Sequence, residues 1–252
     1  MMNGFVSFQG VRLNVYSFAV DGLLIDTGSQ SLLEEFKPFF AEMDVEQVVI
    51  THHHEDHTGG AAYIQKTFGW PIFIHEMSVA ACQEKASYPL YRKLFWGKRA
   101  SFTAHALGET ITSRSAVWDV IATPGHAADH IALHNRKTKQ LFTGDLYVTP
   151  KTKVVLREES IPTIIKSLEH VLTYDFDEVF CCHAGYVRHG RAALQKKLNY
   201  LYELTGKVHT LQKQGLSVRE MNKQLFGKKY PIVKFSGGEW DSMHIITSII
   251  NE

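Results

Sequence analysis

Residues 51–60 read THHHEDHTGG, which places four histidines and two carboxylates in ten positions. The stretch follows residues 46–51, an apolar and β-branched run that predicts a buried strand. It precedes residues 61–66, which predict a helix with Thr58 as its N-cap. The histidines are therefore expected between a strand end and a helix start, where open α/β folds place their sites.

The spacing of these side chains indicates metal binding. In a tight loop, residues two apart converge on one ion, so His52 and His54 are expected to share a metal. Asp56 and His57 would project to the other side and hold a second ion. A solvated, tag-like histidine tract is disfavoured, because such a tract would not lie between a buried strand and a helix.

The composition is that of an ordinary globular protein. The chain has 252 residues, of which 44% are hydrophobic and 21% are charged, with a formal net charge of +1. This charge gives no global attraction to nucleic acid or to a membrane surface. No apolar run reaches transmembrane length, and the first residues lack a signal-peptide pattern. Three cysteines, Cys82, Cys181 and Cys182, are few and odd in number, so we expect a reducing, cytoplasmic location.

A coarse secondary structure follows from periodicity and turn signals. Asp21-Gly22 predicts a hairpin turn between two strands. The remaining elements are predicted as a helix over 32–43, a strand over 71–75, a hairpin joining 131–134 to 141–145, a helix over 161–172, a strand over 178–183 and helices from about residue 191 onward.

One pattern occurs twice, about 120 residues apart. A strand leads to Asp26, then a helix, then a strand that ends at His52. A second strand leads to Asp145, then a helix, then a strand that ends at His183. Two such halves packed face to face predict a four-layer αββα sandwich, an α/β fold. We expect a catalytic domain over residues 1–195 and a helical extension over 196–252.

Three further side chains complete a predicted site with two metal ions. His126 follows the stiff turn of residues 123–125, and Asp145 and His183 follow other strand ends. One ion would be held by His52, His54 and His126, and the other by Asp56, His57 and His183. Asp145 would bridge them, with a shared hydroxide completing both sites. Such nitrogen and oxygen ligands predict zinc first, although the same set suits iron or manganese.

These residues resemble the metallo-β-lactamase superfamily over roughly residues 5–195. The resemblance rests on Asp26, the H-x-H-x-D-H cluster at 52–57, His126, Asp145 and His183, and it implies an αββα sandwich and a hydroxide that attacks a carbonyl or phosphoryl centre. True β-lactamases lack a bridging aspartate at the position of Asp145, so β-lactam hydrolysis is not expected. The pattern is closer to glyoxalase II, lactonases and RNase Z-type nucleases. Residues 123–130, TPGHAADH, are similar to a subgroup that includes β-lactamase-like protein 2, an endoribonuclease.

The resemblance implies a metal-dependent hydrolase of a small ester, thioester or lactone. The alternative is a phosphodiesterase or endoribonuclease on the same two ions. A mononuclear iron sulfur dioxygenase is a third interpretation, which the full set of seven ligands disfavours. The expected partner is a small molecule with an anionic or aromatic group. Nucleic acid is a less favoured partner, and no membrane contact is expected.

Several other side chains receive supporting roles. Asp56, Asp145 and Tyr147 are the catalytic candidates. Related lactonases imply that the Tyr147 phenol donates to a developing oxyanion, and packing of Tyr147 in the core is an alternative of at least equal weight. Asp26 is expected to orient the ligand loop through hydrogen bonds. His130 and His75 are expected to support or pack near the site rather than bind metal, and Cys181 and Cys182 are expected in a buried strand.

Two segments are left with open alternatives. Residues 85–100 interleave aromatic and basic side chains. They are interpreted either as a substrate lid or as an amphipathic helix whose bases are solvated. The tail carries Lys223, Lys228 and Lys229, which keep a weak nucleic-acid interpretation open.

Overall fold

The computed structural model describes residues 1–8, 10–228 and 230–251. Two six-stranded sheets form its centre. The first sheet has the spatial order β1 (Met2–Phe8), β2 (Val11–Val20), β3 (Leu23–Ile25), β4 (Gln47–Val49), β5 (Ile72–Ile74) and β6 (His105–Ala106). The second sheet contains β7 (Thr110–Thr112), β8 (Val117–Ala122), β9 (Ile131–Asn135), β10 (Gln140–Phe142), β12 (Glu178–Cys181) and β13 (Gly185–Val187), in the spatial order 13-12-10-9-8-7; β11 (Val155–Leu156) lies outside both sheets.

The central strands of each sheet are buried on both faces, which explains the continuous apolar runs in the sequence. Successive strand residues point to opposite faces. Leu23 and Ile25 therefore face the space between the sheets, whereas Leu24 packs under the helices on the outer side. In the second sheet, Phe142 points inward and Leu141 points outward.

Helices cover both outer faces, so the molecule has the predicted helix–sheet–sheet–helix layers. The helices are α1 (Leu33–Glu42), α2 (Glu55–Thr58), α3 (Ala61–Phe68), α4 (Glu76–Gln83), α5 (Leu90–Trp96), α6 (Ile161–Val171), α7 (Gly190–Lys213), α8 (Val218–Leu225), α9 (Pro231–Phe235) and α10 (Ser242–Ile250). Helices α1 and α3 pack on the first sheet, and α6, α7 and α10 pack on the second.

The repeated half predicted from the sequence is present. Strands β3 and β4 are parallel and are joined through Asp26 and α1. Strands β10 and β12 are also parallel and are joined through Asp145 and α6. The carboxyl ends of both pairs therefore reach one edge of the sandwich.

The two predicted hairpins are confirmed. Strands β2 and β3 are antiparallel around Asp21 (φ 48°) and Gly22 (φ 84°), the left-handed pair that a two-residue hairpin turn requires. Strands β9 and β10 are antiparallel as well. The predicted strand over 46–51 is shorter than expected, because β4 spans only Gln47–Val49.

The expected cap role of Thr58 is wrong. Thr58 is the last residue of α2, a short helix that includes Asp56 and His57, and Gly60 is the N-cap of α3. The Thr58 hydroxyl donates to the His54 carbonyl oxygen (2.9 Å) instead of accepting from a helix N–H. The ligand loop is therefore partly helical, which fixes its side chains more firmly than an open turn would.

The C-terminal helices pack on the second sheet. Helix α7 runs through the expected boundary at residue 195, and its Leu194 and Leu201 lie in one core with Leu168 of α6. The division into a catalytic domain and an extension stays a prediction. A small pair, β11 with β14 (Trp240–Asp241), joins the C-terminal segment to the loop before α6.

No helix in the described ranges is both long and apolar enough to cross a bilayer. Lys229, one of the three tail lysines, lies outside the described residues.

Candidate metal centre

Four strand ends meet at one edge of the sandwich and carry the candidate ligands. The 52–57 cluster follows β4, and His126 follows β8. Asp145 follows β10, and His183 follows β12. Because β8, β10 and β12 run in the same direction, their carboxyl ends share this edge.

The first group consists of His52, His54 and His126, all buried. The Nδ1 atom of His54 lies 3.0 Å from Nε2 of His52 and 3.1 Å from Nε2 of His126. Ligands on a tetrahedral zinc with Zn–N bonds of about 2.0–2.1 Å lie roughly 3.3 Å apart. The three nitrogens are therefore spaced as the corners of one coordination site.

The second group consists of Asp56, His57, Asp145 and His183, whose ligand atoms lie within 4.8 Å of one another. The Nε2 atom of His183 lies 3.2 Å from Oδ2 of Asp56 and 3.0 Å from Oδ2 of Asp145. The Nε2 atom of His57 lies 3.7 and 3.6 Å from the same two oxygens. This mixture of imidazole and carboxylate suits a divalent ion.

Asp145 lies between the two groups. Its Oδ2 atom is 3.5 Å from Nε2 of His126 in the first group and 3.0 Å from Nε2 of His183 in the second. Its Oδ1 atom and Nε2 of His57 are buried and have no hydrogen-bond partner. Buried polar atoms rarely stay unpaired, so these two atoms fit metal ligation. The residues present therefore suit two ions bridged by Asp145.

Asp26 holds the second group from behind, as the sequence led us to expect. Its Oδ2 atom accepts from Nδ1 of His57 (2.8 Å) and from Sγ of Cys182 (2.8 Å), and its Oδ1 accepts from the Thr51 backbone N–H (2.8 Å). Because a carboxylate only accepts, His57 carries a proton on Nδ1, and Nε2 is the atom that faces a metal. Asp26 also has φ 57°, an uncommon conformation that this network holds in place.

Glu159 plays the corresponding part for the first group. Its Oε2 atom accepts from Nδ1 of His126 (3.0 Å), and its Oε1 accepts from the Leu156 backbone N–H (2.7 Å). His183 is oriented differently, by donating from Nδ1 to the Asn14 carbonyl oxygen (2.6 Å). Each of these three histidines thus has one nitrogen tied outward and Nε2 directed at the site.

His130 positions Asp145 and contributes no atom to either group. Its Nε2 atom accepts from the Asp145 backbone N–H (2.9 Å), so its Nδ1 donates to Oγ1 of Thr123 (2.8 Å). Burial, aided by the charge on His126, lowers the pKa of His130 to about 4, so it remains neutral and able to accept. Gly144, at φ 48°, is required beside it, because an added Cβ would lie 2.6 Å from Nε2 of His130.

His75 lies away from the cluster as the N-cap of α4, where its Nδ1 accepts from the Met77 N–H (3.3 Å).

His53 is oriented by Asp129. The Asp129 carboxylate accepts from Nδ1 and from the backbone N–H of His53, and also from Oγ of Ser78 (2.7 Å). This contact ties the loop that carries His126 to the 52–57 cluster.

The electrostatics divide the histidines into two kinds. Burial, reinforced by positive neighbours, lowers the pKa of His52 and His54 well below the usual value, so both stay neutral. Burial opposes charge at His57 and His183 too, but nearby carboxylates, chiefly Asp26 at His57 and Asp145 at His183, raise their pKa values well above normal. Metal binding to the second group must therefore displace protons.

A cavity of about 270 Å³ opens over the two groups. Its floor includes His54, Asp56, His126, Asp145 and His183. Most of its other walls are apolar and are formed by Val11, Leu13, Phe95, Trp96, Leu146, Val148, Val154, Val155, Leu156, Ile164, Ile232 and Trp240. Three lysines, Lys151, Lys153 and Lys197, also line it. The volume is near the lower end of the range for small-molecule sites.

The 85–100 segment combines features of both interpretations offered for it. Helix α5 turns Phe95 and Trp96 inward, and both line the cavity. Arg92 is not solvated: its Nη2 lies 2.6 Å from Oε2 of Glu55, and its Nη1 lies 3.2 Å from Oε1 of Glu239. This ion-pair network fastens the cavity wall to the cluster helix α2 and to the C-terminal segment.

Tyr147 is not brought to the metal-facing side. Its neighbours Leu146 and Val148 line the cavity, whereas the Tyr147 ring packs in the core with Cys181 and Leu194. Its backbone carbonyl, however, accepts a hydrogen bond from Nζ of Lys197 (2.7 Å). The position of the ring offers no support for the oxyanion role expected from the sequence, which stays an untested prediction.

Cys181 and Cys182 are buried and unbridged, at the end of β12, as expected. Burial raises the pKa of both thiols. Thiols that remain protonated are poor nucleophiles, so a catalytic role for either cysteine is disfavoured.

Comparisons with known proteins identify a family and a fold for the chain. Residues 11–183 match the family model described as the Metallo-beta-lactamase superfamily. Thioesterase pkgB of Emericella nidulans is 27% identical over 76% of this chain and 49% of its own length. The Beta-lactamase-like protein 2 homolog of Caenorhabditis elegans is 25% identical over 70% of this chain and 57% of its own. The chain thus spans about half the length of these relatives.

A solved structure shows the same fold. The metallo-beta-lactamase family protein TTHA1429 of Thermus thermophilus superposes with a TM-score of 0.67 at 17% identity, over 95% of this chain and 88% of that one. At this identity the likeness concerns the fold alone.

Proposed function

The chain belongs to the metallo-beta-lactamase superfamily, and from its site we propose a hydrolase that uses two divalent ions to cleave a small ester, thioester or lactone. One observation carries this proposal. Two ligand groups, each compact within 4.8 Å and joined by Asp145, lie at the floor of a largely apolar cavity. An apolar wall suits the acyl part of such a substrate.

The protein side chains would supply position and orientation. His52, His54 and His126 would hold one ion, and Asp56, His57 and His183 the other, with Asp145 between them. The two ions would generate a nucleophile from water near neutral pH and polarise the scissile carbonyl oxygen. Asp26 and Glu159 keep His57 and His126 in the tautomer that ligation needs. We expect zinc first, because imidazole and carboxylate ligands suit it, and the same donors, with no thiolate among them to select zinc, also suit iron or manganese.

Phosphodiester or RNA cleavage is the second candidate. It draws on the same centre and on the resemblance of residues 123–130 to β-lactamase-like protein 2, whose name the C. elegans relative also carries. The apolar cavity favours it less, since RNA recognition relies on basic and stacking surfaces. A mononuclear iron oxygenase would leave the second ligand group without a purpose.

The three cysteines are buried and unbridged, which is compatible with the predicted reducing compartment.

A substrate panel on zinc-reloaded protein tests the proposal. The panel contains a naphthyl ester, a lactone, S-lactoylglutathione, bis-p-nitrophenyl phosphate and a short single-stranded RNA. We expect hydrolysis of at least one ester, thioester or lactone, loss of that activity with a chelator, and recovery with zinc. Asp145→Asn should remain inactive after reloading. Cleavage of RNA or the phosphodiester alone would reverse the ranking, and stoichiometric O₂ uptake with one iron per chain would favour the oxygenase.

A further inference from the structure

A buried lysine lines the cavity and takes no part in the metal groups. Lys197 lies on α7, at 5% exposure, in the helical series Leu194, Leu198 and Leu201, whose members all pack in the core. It therefore occupies a position where the helix pattern would place an apolar residue. Unlike those leucines, Lys197 also lines the cavity over the metal centre.

The Lys197 ammonium is only partly satisfied by the protein. Its sole hydrogen bond or ion pair within the described ranges is the one from Nζ to the Tyr147 carbonyl oxygen (2.7 Å). An ammonium has three donors, so two remain. Burying a cation is costly, and burial lowers the Lys197 pKa to about 8, although the charges of Glu159 and Asp145 oppose this shift. At neutral pH the group is nevertheless charged.

The other basic groups at the cavity are placed differently. Arg92 is paired with Glu55 and Glu239. Lys151 and Lys153 are both exposed. Lys197 is thus the buried cation of the cavity that no described carboxylate within ion-pair distance neutralises.

We propose that Lys197 is a specificity-determining residue that binds a carboxylate carried by the acyl part of the substrate. The Lys197 ammonium donates to the carbonyl oxygen of Tyr147, so it lies beside the segment that follows Asp145. A substrate bound there would present its scissile carbonyl to the centre and its carboxylate to Lys197. A buried cation with two free donors can form charge-assisted hydrogen bonds to one carboxylate. This inference rests on the proposed hydrolase function.

The test compares acids of matched length. Metal-loaded protein is titrated by calorimetry with dicarboxylates from succinate to pimelate and with monocarboxylates of the same carbon number. Both acids of a pair offer one carboxylate to the metal ions, so their affinity ratio isolates the second carboxylate. At one chain length the diacid should bind the wild type at least about tenfold more tightly than the monoacid, as expected for a hydrogen bond to a charged group.

Three variants identify the residue responsible. Lys197→Met should bring the ratio to about one, and Lys197→Arg should retain part of it. Lys196→Met is the matched control, because Lys196 is exposed on the same helix and its loss changes the net charge equally. It should keep the wild-type ratio. An equal ratio in wild type and Lys197→Met at every length would overturn the proposal.

Thermal unfolding separates this role from a structural one. If Lys197 serves binding, Lys197→Met should melt no lower than the wild type, since an uncompensated buried charge is removed. A lower melting temperature together with an unchanged acid ratio would make Lys197 purely structural and contradict the proposal. The calorimetry requires no turnover. A failure to hydrolyse esters or thioesters would therefore count against the proposed function, whereas the preference for diacids is decided by the calorimetry alone.

Discussion

The carboxylates behind the two ligand groups allow each metal site to be weakened separately. In Asp26→Asn the side-chain oxygen can still accept from the Thr51 N–H, but the new amide NH₂ faces Nδ1 of His57. Two donors then oppose each other. His57 relieves the conflict by moving its proton to Nε2, which is the atom directed at the second metal. The variant should therefore bind that metal poorly.

The expected loss follows from the role of such outer partners. Replacing the carboxylate behind a ligating histidine costs roughly 10- to 100-fold in metal affinity, which corresponds to about 1.4–2.7 kcal/mol. Glu159→Gln should weaken the other site by a similar factor, because Glu159 holds Nδ1 of His126 in the same way.

Chelator-buffered zinc titrations in two backgrounds assign each effect. In His52→Ala protein, which keeps the second group, Asp26→Asn should weaken zinc binding and Glu159→Gln should not. In His183→Ala protein, which keeps the first group, the pattern should reverse. Zinc affinity unchanged by Asp26→Asn in the His52→Ala background would refute the tautomer argument. Equal losses in both backgrounds would show general unfolding.

Three further changes have defined outcomes. His130→Phe removes the acceptor of the Asp145 N–H and should cost about 1–3 kcal/mol of stability; a melting temperature and metal content like those of wild type would contradict this. Arg92→Met leaves buried Glu55 without its cation and should lower the free energy of unfolding, measured by chemical denaturation, by about 3–5 kcal/mol. Arg92→Lys should recover part of this loss. The Lys197 pKa is lowered to about 8 in the folded chain, against 10.5 for the free group, so the unfolded chain binds more protons in between. Below pH 8 the free energy of unfolding of Lys197→Met should thus exceed that of the wild type by up to about 3 kcal/mol, and this difference should shrink as pH rises towards 10.5. Chemical denaturation at a series of pH values measures it, and a difference that does not change with pH would argue against a buried charge.

The layers of the fold could be predicted from the sequence because their signals are local. Continuous apolar runs mark strands buried on both faces, and the repeated strand–Asp–helix–strand–His pattern indicates how the halves pack. The candidate ligands could be identified for the same reason. Four of them lie within residues 52–57, and the other three each follow an apolar run that ends a strand.

The supporting residues could not be found in this way, because their partners are distant in sequence. Glu159 lies 33 residues from His126, and Arg92 lies 37 residues from Glu55. Nothing in the local pattern of either residue indicates the contact. The sequence around Thr58 resembles that of a helix N-cap, but Thr58 is instead the last residue of the short helix α2.

Lys197 leaves a signal in the local sequence pattern. A lysine in the apolar series of residues 194, 198 and 201 indicates a cation on the buried face of α7. The sequence pattern does not indicate the cavity that this face of α7 borders at Lys197. Residues of α5 and of the loop after Asp145, which lie elsewhere in the sequence, form its other walls.

An anomalous-scattering map from crystals of the zinc-loaded protein examines the paired centre directly. We expect two peaks in each chain, one within bonding distance of His52, His54 and His126, and the other beside Asp56, His57 and His183. Asp145 should contact both peaks. A single peak at full zinc loading, or a second peak away from Asp145, would contradict a bridged pair of ions.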